Sequence, residues 1–88
     1  MITMTLRLTV PPEKTMEAIR IVDSIGGSIS AEPDCRLFIL YRETANDDAL
    51  MLCEEWETRE ALEDHIRSKR FKTLRFTLIR LADFKLGC

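Results

Sequence analysis

His65 is the only histidine in the chain, and histidine is the side chain whose ordinary pKa, ~6.5, lets it take and return a proton near neutral pH. It lies in the stretch ALMLCEEWETREALEDHIRSKRF, residues 49–71. Within it Ala61, Leu62, His65 and Ile66 recur at the spacing of an apolar helix stripe. A base on that stripe would face the interior, where a pocket excludes water. A lone histidine on an apolar helix face also has a structural role, with one ring nitrogen bonded to a strand residue and the other to water. Both readings stand on the sequence.

The other reactive residue types form no constellation. Glu54 and Glu55 are neighbours in a strand, so they point to opposite faces and make no carboxylate dyad. Cys53 would be a nucleophile only with a lowered pKa, and no basic neighbour is implied. Cys35, Cys53 and Cys88 contain no CxxC pair, and the three glycines form no phosphate loop. No metal, flavin or nucleotide is therefore expected.

These residues must be positioned by a short series of elements. Ile2, Met4, Leu6, Leu8 and Val10 alternate with Thr3, Thr5, Arg7 and Thr9, which predicts a strand with one face on a core. Pro11-Pro12 ends it, and Pro12 with Glu13 suits a helix start. Met16, Ile19, Val22, Ile25 and Ile29 then predict an amphipathic helix that ends at Gly26-Gly27 or bends there and resumes as far as Ala31. Residues 35–43 and 49–57 read as a hairpin about Asn46, with Ile39 opposite Cys53 and Tyr41 opposite Met51. On that register Phe38, Leu40, Leu50, Leu52 and Trp56 share one face. Thr58 is the expected N-cap of the His65 helix, with Glu60 in its first turn. Ser68 is placed to break and recap it, and Phe71, Leu74, Leu78 and Leu81 continue the stripe. Asp83 to Cys88 is long enough for a last strand. The order β-α-β-β-α(α)-β predicts an α+β, ferredoxin-like fold with one antiparallel sheet, in a single domain over residues 1–88.

Composition narrows the function classes. A 45% hydrophobic and 32% charged chain of 88 residues reads as one soluble domain in a reducing, cytoplasmic setting. No apolar run approaches the ~18–20 residues of a membrane span, and MITMTLRLTV reads as a strand rather than a signal peptide. Residues 1–66 hold 6 Lys/Arg against 14 Asp/Glu, and residues 67–88 hold 7 against 1. The basic C-terminal part reads as a solvated helix face. The acidic whole would repel phosphate, and CRLFILYR lacks the glycine of an RNA-stacking motif, so no nucleic-acid partner is expected.

With the elements placed, the chain resembles the antibiotic biosynthesis monooxygenase family, small proteins of the dimeric α+β barrel class. Glu54-x-Trp56 and Ala61-Leu62-x-x-His65-x-x-Ser68-x-x-Phe71 carry the resemblance, with Pro33-Asp34-Cys35 where the family has Pro-Gly-Cys. It covers roughly residues 2–85. Such proteins oxygenate quinols, anthrones and other electron-rich aromatics without metal or organic cofactor. The resemblance thus implies a small aromatic molecule and dioxygen as partners, and a homodimer formed through the sheet faces. The haem-degrading branch is disfavoured. It has tryptophan at His65, a haem-ligating histidine at Arg75 and asparagine at about Leu6.

In that chemistry a base deprotonates the substrate and donors steady the developing charge. The resemblance makes His65 the candidate base, with Arg7 and Tyr41 as further catalytic candidates. Trp56, Phe71 and Leu62 are the candidate substrate-binding residues. Each has an ordinary alternative: an ion pair from Arg7 to Glu54 or Glu55, an interface role for Tyr41, and packing for Trp56. A non-catalytic ligand-binding or interaction module of the same fold is the competing expectation.

Overall fold

A computed structural model describes residues 1–45 and 49–81. Three strands, β1 (Ile2–Thr9), β2 (Cys35–Arg42) and β3 (Ala49–Trp56), form one antiparallel sheet in the order β1-β3-β2. Strand β3 pairs antiparallel with both neighbours, so β1 and β2 run parallel with β3 inserted between them. This is the split βαβ arrangement. The hairpin has the expected register, Ile39 opposite Cys53 and Tyr41 opposite Met51. The turn at Asn46 and the last strand expected over residues 83–88 lie outside the described residues.

Helices α1 (Thr15–Ser30), α2 (Arg59–Arg67) and α3 (Lys69–Leu81) follow β1 and β3. They cover the sheet face that carries Leu8, Leu50, Leu52 and Trp56, and those residues form one core with Val22, Ile29, Leu74 and Leu78. A bulge between Cys35 and Leu37 turns Cys35 toward that core while Leu37 faces the other way. No described helix is long and apolar enough to cross a membrane.

The start and the joint of the C-terminal helices use the expected side chains. Thr58 Oγ1 accepts from the Ala61 amide at 3.1 Å and caps α2. At the other end Ser68 leaves the helical region, with ψ of 150°, and its Oγ accepts from the Phe71 amide at 3.2 Å. One residue therefore stops α2 and caps α3.

Helix α1 differs from the apolar spacing in two respects. A 3₁₀ turn, Pro12–Lys14, precedes it, and its buried side is Thr15, Ala18, Val22, Gly26 and Ile29. Met16, about 100° around the helix from Thr15, is exposed. The helix also continues through both glycines, and the packing explains one of them. A Cβ on Gly26 would stand 2.7 Å from Phe38 Cε1, so hydrogen is what lets the helix rest on β2. Gly27 has open space around it. Its replacement by alanine should stabilise the fold by about 0.5–1 kcal/mol. Gly26→Ala should lose that gain to the clash with Phe38. Urea melts of the two variants beside the parent check the contrast.

Candidate functional site

Alternation along β3 places Leu50, Leu52, Glu54 and Trp56 on the covered face, so a carboxylate stands in the core. Helix α2 brings His65 down onto it. His65 Nε2 lies 2.9 Å from Glu54 Oε1, with both side chains fully buried. The same oxygen accepts from Trp56 Nε1 at 2.9 Å. The ring nitrogen of His65 is not directed along a hydrogen bond, so the two polar atoms are in close contact without one. Glu54 Oε2 and His65 Nδ1 have no protein partner. The imidazole is held between two rings, stacked on Trp56 at 4.4 Å between centroids and meeting Phe71 edge-on at 4.9 Å. Strand β3, helix α2 and helix α3 thus meet at one polar-aromatic cluster.

Beside it runs an apolar cleft of about 440 Å³ between β1 and the two C-terminal helices. Met4, Leu6 and Leu8 form one wall, and Phe71, Leu78 and Ile79 form the other. Ile66, expected in the buried stripe, is instead 38% exposed and lines this cleft with Arg7, Arg67, Lys72 and Arg75. No Asp, Glu, His, Tyr or Cys lines it among the described residues. Phe71 belongs to both places, touching the His65 ring and walling the cleft. Trp56 and His65 open instead onto a smaller cleft of about 220 Å³, whose mouth carries Glu32, Asp34 and Asp64. Leu62 packs against the core and lines neither.

The remaining candidates lie on the opposite side of the sheet. Arg7, Met51 and Tyr41 form one row across the strands on the face that no helix covers. Arg7 pairs not with Glu54 or Glu55 but with Glu43, through Nε at 2.8 Å and Nη2 at 3.0 Å. The register gives the reason: Glu54 points to the covered face, Glu55 stands opposite Thr3, and Glu43 lies just beyond the Arg7 row. The Arg7 guanidinium holds the Glu43 carboxyl below its usual range. A carboxyl lowered in this way stabilises the fold above its ordinary pKa of about 4.5, and the contribution disappears as the pH falls through its folded value. Tyr41 is 50% exposed. Tyr41 therefore stands across the sheet from His65, whereas Arg7, on the edge strand, also borders the apolar cleft that Phe71 walls.

Burial and the Glu54 charge push the Cys35 thiol up, which keeps it protonated and a poor nucleophile near neutral pH. Among the described residues no group of three or more His, Cys, Asp and Glu side chains is placed to hold a metal ion. Leu6 and Arg75 do line a common cleft. The polar-aromatic cluster is the feature that residue type alone hid. Strand parity was its one signal, because Glu54 lies two residues from both Leu52 and Trp56.

An α+β sheet with an apolar cleft beneath its helices narrows the class, and comparison with known proteins supplies the family. The model of the antibiotic biosynthesis monooxygenase family matches residues 1–75. The chain belongs to that family. Its fold is similar to a conserved protein of Methanosarcina mazei, with TM-score 0.87, 29% identity and coverage of 94% of this chain and 82% of that one. A protein of unknown function from Bacteroides thetaiotaomicron, described as a possible oxidoreductase, superimposes with TM-score 0.85 at 20% identity, covering 94% and 88%. A putative antibiotic biosynthesis monooxygenase from Deinococcus radiodurans gives TM-score 0.85 at 16% identity, covering 92% and 80%. The last two likenesses concern the fold alone. No curated protein matches the chain.

The cluster makes a stability prediction independent of catalysis. Glu54→Leu alone should destabilise the fold by about 3–5 kcal/mol, because His65 and Trp56 Nε1 lose their buried partner. His65→Phe alone should also destabilise it. Combining the two should cost less than the sum of the single changes, since the double variant leaves neither member of the pair unpartnered. Denaturant melts of the four proteins close the cycle.

Proposed function

We infer that the β1–α3 cleft is a ligand site and that the chain works as a cofactor-independent monooxygenase on a small electron-rich aromatic of the quinol or anthrone kind. The observation that carries this reading is the apolar cleft itself, of a size that suits a ring system, in a member of this family. The chemistry needs no outside reductant. An ionised anthrone passes an electron to dioxygen, the two radicals combine at the ring carbon, and water leaves. One oxygen atom stays as the new carbonyl, the other departs as water, and the substrate's CH2 group supplies all four electrons.

His65 is the base in this reading. Its ring lies behind Phe71, so the proton passes only when the Phe71 side chain swings aside or a water bridges the two. That burial, together with a cleft lined by no Asp, Glu, His, Tyr or Cys among the described residues, favours a second reading. In it the cleft binds a ligand without transforming it and His65 only locks the fold. His65→Gln separates the two, because it leaves a polar side chain beside Glu54 and removes the imidazole. In the first reading oxygen uptake with a quinol or anthrone falls about 10²–10⁴-fold while the melting temperature holds. Unchanged uptake by a folded His65→Gln protein removes the histidine from the mechanism.

Assembly belongs to the same proposal. Leu37, Ile39, Met51 and Cys53 lie with Tyr41 on the uncovered sheet face, and an apolar face of this kind marks an interface. A two-fold pairing of these faces closes the family's barrel and brings Arg7 and Tyr41 to a surface shared by two copies. Sedimentation should show a dimer at micromolar concentration, and Ile39→Glu should shift it to monomer. A stable monomeric parent overturns the assembly.

A further inference from the structure

The cleft is one-sided in charge as well as apolar. Its floor and walls are mostly hydrocarbon, yet Arg7, Arg67, Lys72 and Arg75 line it and no carboxylate does among the described residues. The chain as a whole has 15 Asp/Glu against 13 Lys/Arg, so a rim of one sign is not the average surface. The smaller cleft beside Trp56 shows the reverse, with Glu32, Asp34 and Asp64 and no Lys or Arg lining it.

The rim cations differ in how far they are already engaged. Arg67 approaches Glu63 at 3.6 Å and Asp64 at 3.9 Å on its own helix. The Arg7 guanidinium, on the neighbouring strand, is taken by Glu43. Among the described residues no carboxylate stands within 4.0 Å of Lys72 or Arg75. Positions 72, 75 and 79 fall at the i, i+3, i+7 spacing of a single helix face, so both cations and Ile79 share one side of α3. Their stems lie along apolar surface and their charged ends reach water. Low-dielectric walls below such a rim concentrate its field on whatever enters.

We propose that the ligand of this cleft is an amphipathic anion, an apolar ring body bearing one carboxylate-like group that Lys72 and Arg75 hold at the mouth. The proposal rests on the reading of the cleft as the ligand site and adds the class of molecule. Arg75 supplies a planar fork that meets a carboxylate with two parallel N–H donors, and Lys72 adds a point charge one turn away. The ring body fills the space between Leu6 and Phe71. The charged group stays at the rim, away from the reacting carbon, and decides which aromatics are held long enough to react.

A matched pair of fluorescent probes tests it: 8-anilinonaphthalene-1-sulfonate, and N-phenyl-1-naphthylamine, which has the same rings without the sulfonate. Titrated into the parent protein, the sulfonate should bind about tenfold tighter or more, and added sodium chloride should erase the difference. Lys72→Gln and Arg75→Gln should each weaken the sulfonate several-fold and leave the neutral probe within about twofold. Ile79→Trp, which fills the cleft, should abolish both, and Met4→Trp from the opposite wall serves if that variant does not fold. If the neutral probe binds and the sulfonate binds no better, the anion proposal fails while the ligand site stands. The proposal also fails if the two charge variants weaken both probes equally. If neither probe binds, or the sulfonate still binds to both filled variants, the ligand-site reading falls and takes the proposal with it.

Discussion

A carboxylate buried in the core is the constraint on which the rest of this molecule turns. Glu54 cannot be solvated, and its close partners are one nitrogen of Trp56 on its own strand and one of His65 on α2. Taking such groups out of water is expensive, and an apolar pair of the same size would not incur that penalty. What the contact provides is orientation. Hydrocarbon packing tolerates a helix turned by a fraction of a residue, whereas an imidazole stacked on Trp56 and met edge-on by Phe71, with a nitrogen 2.9 Å from the carboxylate, tolerates it less. The rotation of α2 follows from this contact, and with it the position of Phe71, the ring shared by the cluster and the cleft.

This arrangement divides the polar residues of the domain into three groups. Beneath the helices lies the closed Glu54–His65–Trp56 cluster, at the cleft rim stand the cations of α2 and α3, and on the far face of the sheet Arg7 is tied to Glu43. The first two lie on the helix side of the sheet. The third belongs to the uncovered face, although Arg7 also borders the cleft. Phe71 stands between the first two groups, against the His65 ring on one side and the cleft on the other.

Much of the architecture was legible in the residue pattern because it depends on neighbours in sequence. Alternation set the strands and even the pairing of Ile39 with Cys53. Hydroxyl caps at Thr58 and Ser68 marked the helix boundaries. Both are local effects, worked out over three or four residues. The side-chain partnerships were less legible because they join elements distant in the chain. Arg7 found Glu43 rather than Glu54 or Glu55, and the stripe of α2 buried His65 more deeply than Ile66. Gly26 and Gly27 read as a stop or a bend, yet one helix runs through both, and Gly26 leaves the space that the ring of Phe38 takes. In each case the outcome was decided by how one element is rotated or seated against another, which spacing within an element does not specify.

The junction at Ser68 has a bearing on how such a domain can diverge. A single non-helical residue separates α2 from α3, and each residue of an α-helix advances the direction of its side chains by about 100°. Inserting or deleting one residue there would turn the whole of α3 out of phase. Phe71 would leave the imidazole, and the face bearing Lys72 and Arg75 would swing away from β1. Exchanging a side chain on α3 disturbs nothing beyond its own neighbours. On the proposed reading of the cleft, substitution along the exposed side of α3 changes what the domain recognises, while a change in the length of this joint disrupts the site.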